Sequence, residues 1–246
     1  MSLTKVNGVV IKTQEYKEND KLLWIFTQEL GKISVIAKGA KKSKNKLFSV
    51  TTPFCYGDYL VFKGKNLYSL SEGKIRKSFQ SFLDNLEKLT YASYICELID
   101  ICIEDNEKNS YLYKECITCL YLLNTDAIDY ETLIRAFELK ILRATGYGLN
   151  LDNCVSCKEK IQNSNYLDLA YFGGVCEKCR KERGIYIDKA TFASLKFLNK
   201  TTLDKVYKLH LSDDTKSEIY KITHYIISSV YSRKPKSLEM LNFIKE

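Results

Sequence analysis

Two prolines, two histidines, two methionines and one tryptophan are all that 246 residues contain of those types. Pro53 and Pro235 mark a loop and the end of the chain. No stretch approaches the roughly 18–20 apolar residues of a membrane-spanning helix, which argues against a membrane partner. Met1-Ser2-Leu3-Thr4-Lys5 lacks the basic, then apolar, then small-residue pattern of a signal peptide, so a cytoplasmic location is expected. There is no internal repeat and no low-complexity linker. The chain also lacks G-x-S-x-G, H-E-x-x-H, G-x4-G-K-[ST] and G-x-G-x-x-G, the motifs that would announce common active sites. Of the two histidines, His224 shares a helical face with Tyr220, Ile227 and Tyr231, the setting of a packed or surface side chain. No residue pattern points to an enzyme.

Net charge is missing from two thirds of the chain and concentrated in the remaining third. The first 80 residues hold 15 Lys and Arg against six Asp and Glu, whereas the other 166 hold 23 against 24. The whole excess of +8 therefore sits at one end. Its densest run is Lys38-Gly39-Ala40-Lys41-Lys42-Ser43-Lys44-Asn45-Lys46. A positive field confined to one segment points to a polyanionic partner, and clustered lysines gain from the counterions that nucleic-acid phosphates release.

Periodicity divides the chain in two. Residues 1–78 read as strands: Val6–Ile11, Leu22–Thr27, Ile33–Ala37, Thr51-Thr52-Pro53-Phe54, Asp58–Lys63 and Leu67–Leu70. Five to six short strands at this spacing suggest a small β-barrel, for which the oligonucleotide-binding OB-fold is the natural candidate. From Phe79 the apolar residues recur at three- and four-residue steps. Phe82, Leu86, Leu89, Ala92, Cys96, Ile99 and Ile103 form one stripe. Helices are expected over Tyr111–Asn124, Tyr130–Thr145, Lys189–Asn199 and Thr215–Tyr231, with Gly146-Tyr147-Gly148 ending the second. The expected class is α+β and multidomain: an OB-fold domain over 1–78, then a helical domain over 79–246. The helical domain would carry a cysteine-bearing insert at about 150–185.

Nine cysteines without an export signal read as metal ligands or core residues rather than disulfides. Cys154-Val-Ser-Cys157 and Cys176-Glu-Lys-Cys179 form C-x2-C-x18-C-x2-C. Each pair offers two thiolates from a tight turn, and two such turns build the closed tetrahedral site of one structural zinc. Between them, Tyr166–Phe172 reads as a strand and Gly173-Gly174 as a turn. Four thiolates leave no open coordination position, so the ion would not be catalytic. Cys116 and Cys119 have the same short spacing but lie in an apolar helical pattern, and core packing is expected for them and for Cys55, Cys96 and Cys102. A thiol oxidoreductase would need a redox pair in a βαβ setting, which is absent.

The basic loop is either a solvated surface or a phosphate-binding one. Lys12, Lys32, Lys63 and Lys65 add charge from neighbouring segments to Lys38, Lys41, Lys42, Lys44 and Lys46, which favours phosphates. Trp24, Phe26, Tyr59 and Tyr68 are either base-stacking platforms or barrel core, the second being commoner on alternating strands.

The ordered features resemble the bacterial recombination mediator RecO family over the whole chain. The resemblance lies in Val9-Val10-Ile11-Lys12, Tyr16–Leu23, Phe26-Thr27, Gly31-Lys32 and Ala37–Ser43. It continues in Arg135–Leu142 with Gly146-Tyr147-Gly148, in the four spaced cysteines and in Lys236-Ser237-Leu238. The C-terminal stretch keeps only part of the family's pattern. The resemblance implies binding and annealing of single- and double-stranded DNA. It further implies work with RecR to load recombinase onto strands coated by single-strand-binding protein, in the cytoplasm and at the nucleoid. It also implies that the helical domain holds the acidic C-terminal tail of single-strand-binding protein, with Arg135 at the matching position. The competing reading is an RNA-binding OB and zinc-ribbon protein of the translation machinery. The large, nearly neutral helical region favours the DNA reading.

Overall fold

Alternating side chains in the first 78 residues become five strands that close on themselves. In the computed structural model, which describes residues 3–180 and 184–237, these are β1 (Leu3–Tyr16), β2 (Asp20–Thr27), β3 (Gly31–Ala37), β4 (Cys55–Lys63) and β5 (Tyr68–Ser78). They form a closed barrel in the order β1-β2-β3-β5-β4. Every neighbouring pair is antiparallel except β3 and β5, which run parallel from Val35↔Tyr68 to Ile36↔Ser69. One set of alternate residues fills the interior, including Val6, Val10, Leu23, Ile25, Ile33, Val35, Tyr59, Val61 and Leu70.

Thr51–Phe54 is not a strand. Ser49–Thr51 is a 3-10 turn in which the Thr51 hydroxyl donates to the carbonyls of Leu47 (2.8 Å) and Phe48 (3.1 Å). Pro53 has no N–H to offer a ladder, and Phe54 adopts φ +62°. The segment turns the chain into β4 instead of pairing with it.

The helical stripe expected from Phe79 begins later. Gln80–Asp84 is a 3-10 segment, Asn85 caps the next helix by accepting from the Lys88 N–H at 2.9 Å, and α1 runs Leu86–Cys102. Leu86 is exposed, whereas Phe82 of the 3-10 segment is buried and stacked on Phe79. α2 spans Ser110–Thr125, α3 Tyr130–Ala144, α4 Lys189–Lys200 and α5 Asp213–Val230. Asp129, Asp188 and Ser212 cap α3, α4 and α5 through their side chains. Gly146, at φ +89°, ends α3.

The chain divides into two compact units. One extends to Asn124 and takes back the stretch from Pro235; the other is Thr125–Lys234. In the first, α1 and α2 cover one side of the barrel's outer surface. Phe26 packs edge-on against Tyr113 of α2 at 5.7 Å, and the Tyr113 hydroxyl donates to Asn7 Oδ1 at 2.6 Å. The returning C-terminal stretch is held by α1. Glu97 Oε2 accepts from the N–H groups of Lys236 and Ser237, both at 2.9 Å, and from the Ser237 hydroxyl at 2.7 Å. Leu238 and the residues after it lie outside the described residues.

In the second unit α3 packs against α4 and α5. The cysteine insert holds a small sheet of β6 (Tyr166–Asp168), β7 (Gly173–Gly174) and β8 (Ile185–Tyr186). The expected strand over Tyr166–Phe172 stops at Asp168, whose carboxylate accepts from the N–H groups of Ala170 (2.9 Å) and Tyr171 (3.2 Å) and so starts a turn. Gly173-Gly174 is itself a strand rather than the turn. A Cβ on Gly173 would stand 2.5 Å from the Asn150 carbonyl oxygen, so only glycine lets the backbones approach.

Among the described residues, no helix is long and apolar enough to cross a membrane.

Candidate functional site

The four spaced cysteines converge. The Sγ atoms of Cys154, Cys157, Cys176 and Cys179 all lie within 4.8 Å of one another, and Cys157 and Cys176 are 3.6 Å apart. A tetrahedron with metal–sulfur bonds of about 2.3 Å has sulfur–sulfur edges of about 3.8 Å, so the set matches the size of one ion. Each pair sits on a tight turn. Lys158 N–H donates to the Cys154 carbonyl and Cys179 N–H to that of Cys176, both at 3.0 Å, with Lys158 at φ +66°. The two turns are stitched together by β7. Val155 N–H donates to the Gly174 carbonyl, and the Cys176 N–H donates to Cys154 Sγ at 3.4 Å.

The electrostatics also suit a cation. Burial pushes the Cys154 thiol up, but the N–H groups of Cys176, Cys157 and Ser156 outweigh it and hold the thiol at about 6. Cys179 is pushed the other way, to about 12, chiefly because its hydrogen bond to Cys176 favours the neutral thiol. One sulfur ionises readily and a neighbour resists, as expected where negative charge gathers on four close sulfurs. The chain thus presents a four-sulfur site for a single metal ion.

The other five cysteines are buried. Burial pushes the thiols of Cys96, Cys116 and Cys119 well above their ordinary range, so they are inert core groups.

The candidate lysines of the barrel do not share one environment. Lys38, Lys42, Lys44 and Lys46 are exposed on the loop between β3 and the 3-10 turn, and among the described residues none has a carboxylate partner. The loop is built, not merely solvated. Ala40 and Leu47 pack on the barrel core, Gly39 N–H donates to Asp20 Oδ1 at 2.8 Å, and Lys41 N–H donates to the Asn19 carbonyl at 3.0 Å. Gly39 takes φ +67°, and a Cβ there would meet the Asn45 amide nitrogen at 2.7 Å. Lys41 itself is half-buried and pairs with Glu15 at 2.8 Å. The loop is thereby fastened to the tip of the β1–β2 hairpin.

Lys63 and Lys65 are exposed at the turn between β4 and β5. Lys63 pairs with Tyr68, which stands beside Val35 of β3, two residues before the basic loop leaves that strand after Ala37. Lys12 lies on the outer face of the β1–β2 ribbon. A bulge between Val10 and Lys12 pairs it with Trp24, its ammonium sits 4.7 Å from that ring's centroid, and Asp100 lies 3.5 Å away.

Lys32 does not join these cations. Its side chain is 8% exposed, and its ammonium donates to the Asp100 carbonyl at 2.8 Å and faces the carboxylates of Asp100 and Asp105. Charge counting alone could not reveal that α1 covers this part of β3. Arg135 is likewise corrected. It is buried on α3, pairs with Glu138 at 2.9 Å, and lies 4.6 Å from the Tyr220 ring centroid. Glu138 also accepts from the Thr223 hydroxyl at 2.6 Å. Arg135 is engaged inside its unit and offers no surface contact to an acidic peptide.

The four aromatics separate as well. Tyr59 is barrel core, Phe26 is buried against Tyr113, and Tyr68 packs on the core edge. Trp24 is half-buried on the outer face. Sequence patterning passes over Tyr16 and Phe48, which are exposed beside the basic loop. Their only signal is position: Tyr16 immediately precedes the hairpin turn, and Phe48 follows the run of lysines.

Two family profiles match the chain: "Recombination protein O N terminal" over residues 1–79 and "Recombination protein O C terminal" over residues 83–239. Among the similar curated proteins is a DNA repair protein RecO from Clostridium perfringens (strain 13 / Type A). It is 70% identical over 246 residues, all of both chains. The protein of that name from Clostridium acetobutylicum is 49% identical over the same full span. That of Caldicellulosiruptor saccharolyticus is 30% identical over 245 residues, again covering both chains throughout.

Proposed function

The chain belongs to the RecO family of DNA repair proteins, and from that premise we propose that it is a non-enzymatic recombination mediator that binds and anneals single-stranded DNA. The observation that carries this reading is the loop Lys38–Lys46, where four exposed, unpaired lysines stand on a scaffold tied to the barrel. Such a cluster binds phosphates without reading sequence, as annealing of arbitrary complementary strands requires. We assign the five-stranded barrel to the OB-fold, a reading supported by its order β1-β2-β3-β5-β4 and its parallel β3–β5 pair. Lys12, Lys63 and Lys65 extend the basic surface, whereas Lys32 is left out because α1 buries it.

The four cysteines hold one zinc ion as a closed structural site in this reading. Its role is to fasten the insert of the second unit, and no chemistry passes through it. Work with RecR, and recognition of the tail of single-strand-binding protein, follow from family membership. No residue of this chain is assigned to either contact, and Arg135 is withdrawn. A place at the nucleoid in the cytoplasm accompanies this function. The RNA-binding alternative is dropped, since both matched profiles describe a recombination protein.

The test is annealing of two labelled complementary strands, bare and precoated with single-strand-binding protein. Acceleration in both cases, with RecR needed for recombinase loading, is the expected result. Strands that pair no faster with the protein than without it would refute the mediator reading.

A further inference from the structure

Three partly or fully exposed aromatic rings surround the β1–β2 hairpin, and each carries a lysine ammonium. Lys12 lies over Trp24 at 4.7 Å, Lys17 over Tyr16 at 5.5 Å and Lys21 over Phe48 at 5.1 Å from the ring centroids. Tyr16 is 38% exposed and Phe48 40%. Strand register sets their placement. Lys12↔Trp24 and Tyr16↔Asp20 are pairs on the outer face of the β1–β2 ribbon, separated by four residues of β1, or about 13 Å. Phe48, at the end of the basic loop, meets Lys21, whose pair Glu15↔Lys21 faces the barrel side with Thr13↔Leu23, so Phe48 lies on the opposite face of the ribbon and stands outside this group.

Large exposed rings cost solvation unless something covers them, and here each stands beside a cation. Rings interleaved with ammonium groups complement a chain that alternates flat bases with phosphates. In a duplex the bases are stacked on one another and their faces are unavailable. We propose that Trp24 and Tyr16 form a base-stacking platform that makes this barrel select unpaired strands over duplex. The lysines act on the phosphates of either form. The proposal rests on the reading of the basic loop as a DNA-binding surface and adds to it the origin of strand selectivity. When a base stacks, the lysine above the ring swings aside to the neighbouring phosphate.

Trp24 is the chain's sole tryptophan, so its fluorescence reports this site alone. Three oligonucleotide probes of equal length serve: a single strand, its duplex, and a single strand whose central nucleotides lack bases. The single strand should quench Trp24 emission, and the duplex and abasic strand should bind, by anisotropy, without comparable quenching. Tyr16→Leu, which keeps apolar bulk but removes the π-face, should weaken single-strand affinity about fivefold or more. Duplex affinity should stay within about twofold, and the salt dependence should not change, because no phosphate contact is lost.

Equal quenching by the abasic strand, or unchanged single-strand affinity in the Leu variant, would overturn the platform. So would wild-type binding to anionic vesicles that the Leu variant loses while its strand binding is intact, since that assigns the rings to a membrane surface. Failure of the loop itself is separable. If Lys42→Ala, Lys44→Ala and Lys46→Ala together leave all DNA binding intact, the underlying surface is wrong; if they weaken it and the rings do not matter, only the platform falls.

Discussion

Lys32 reaches from β3 to Asp100 of α1, donating to its backbone carbonyl at 2.8 Å with its carboxylate 3.5 Å away. A cation on the basic face of the barrel is thus spent on joining that barrel to its first helix. Breaking one partner of a buried pair leaves the other charged and poorly solvated, at a cost of about 3 kcal/mol. Lys32→Ala should lower the denaturation midpoint by a corresponding amount while DNA affinity of the folded protein stays the same. A variant as stable as the wild type, with weakened DNA binding, would return Lys32 to the interface.

The loop lysines should behave in the opposite way. Replacing Lys42, Lys44 and Lys46 with Ala should leave stability within about 0.5 kcal/mol, since they are exposed and unpaired. Affinity should fall alike for unrelated sequences. The slope of log affinity against log salt should shrink by up to about 2 for single strands, at about 0.7 per phosphate contact. Titrations at several salt concentrations measure it, and an unaltered slope would make the loop an ordinary solvated surface.

At the four-cysteine site, metal analysis of freshly purified, reduced protein should find one zinc per chain. Stripping it with a chelator, or replacing Cys176 with Ser, should unfold the insert, because a sheet of three short strands has little core of its own and binding energy serves as folding energy there. The readout is hydrogen exchange at the Val175 amide, which donates to the Tyr166 carbonyl at 3.0 Å. Its protection should vanish while that of β2 and β3 amides persists. Metal-free protein with full protection at Val175 would contradict a structural ion.

Arg135→Ala should destabilise the second unit by about 3–5 kcal/mol, because Glu138 is fully buried and would lose the guanidinium that balances its charge. Lys at the same position should not restore it, since a single ammonium cannot both pair with the carboxylate and lie flat on Tyr220. Differential scanning calorimetry checks both. A stable Arg135→Ala protein that had lost affinity for an acidic tail peptide would reinstate the docking role.

What the sequence alone determined is local. The spacing of Cys154, Cys157, Cys176 and Cys179 announced the four-sulfur cluster, because two thiols three residues apart need only a tight turn to meet. Alternation announced the strands, and Asn85, Asp129, Asp188 and Ser212 stood ready to satisfy the first free N–H groups of four helices. Tertiary structure decided which charges remain free. Lys12 reaches the outer face only because of the bulge after Val10; an unbroken alternation would have aimed it into the barrel with Val6 and Val10. Lys32 and Arg135 look like surface cations in one dimension and are buried by residues far along the chain, Asp100 and Tyr220. Burial of a charge depends on which helix packs over it. No local pattern carries that information, because the covering helix is placed by the whole core.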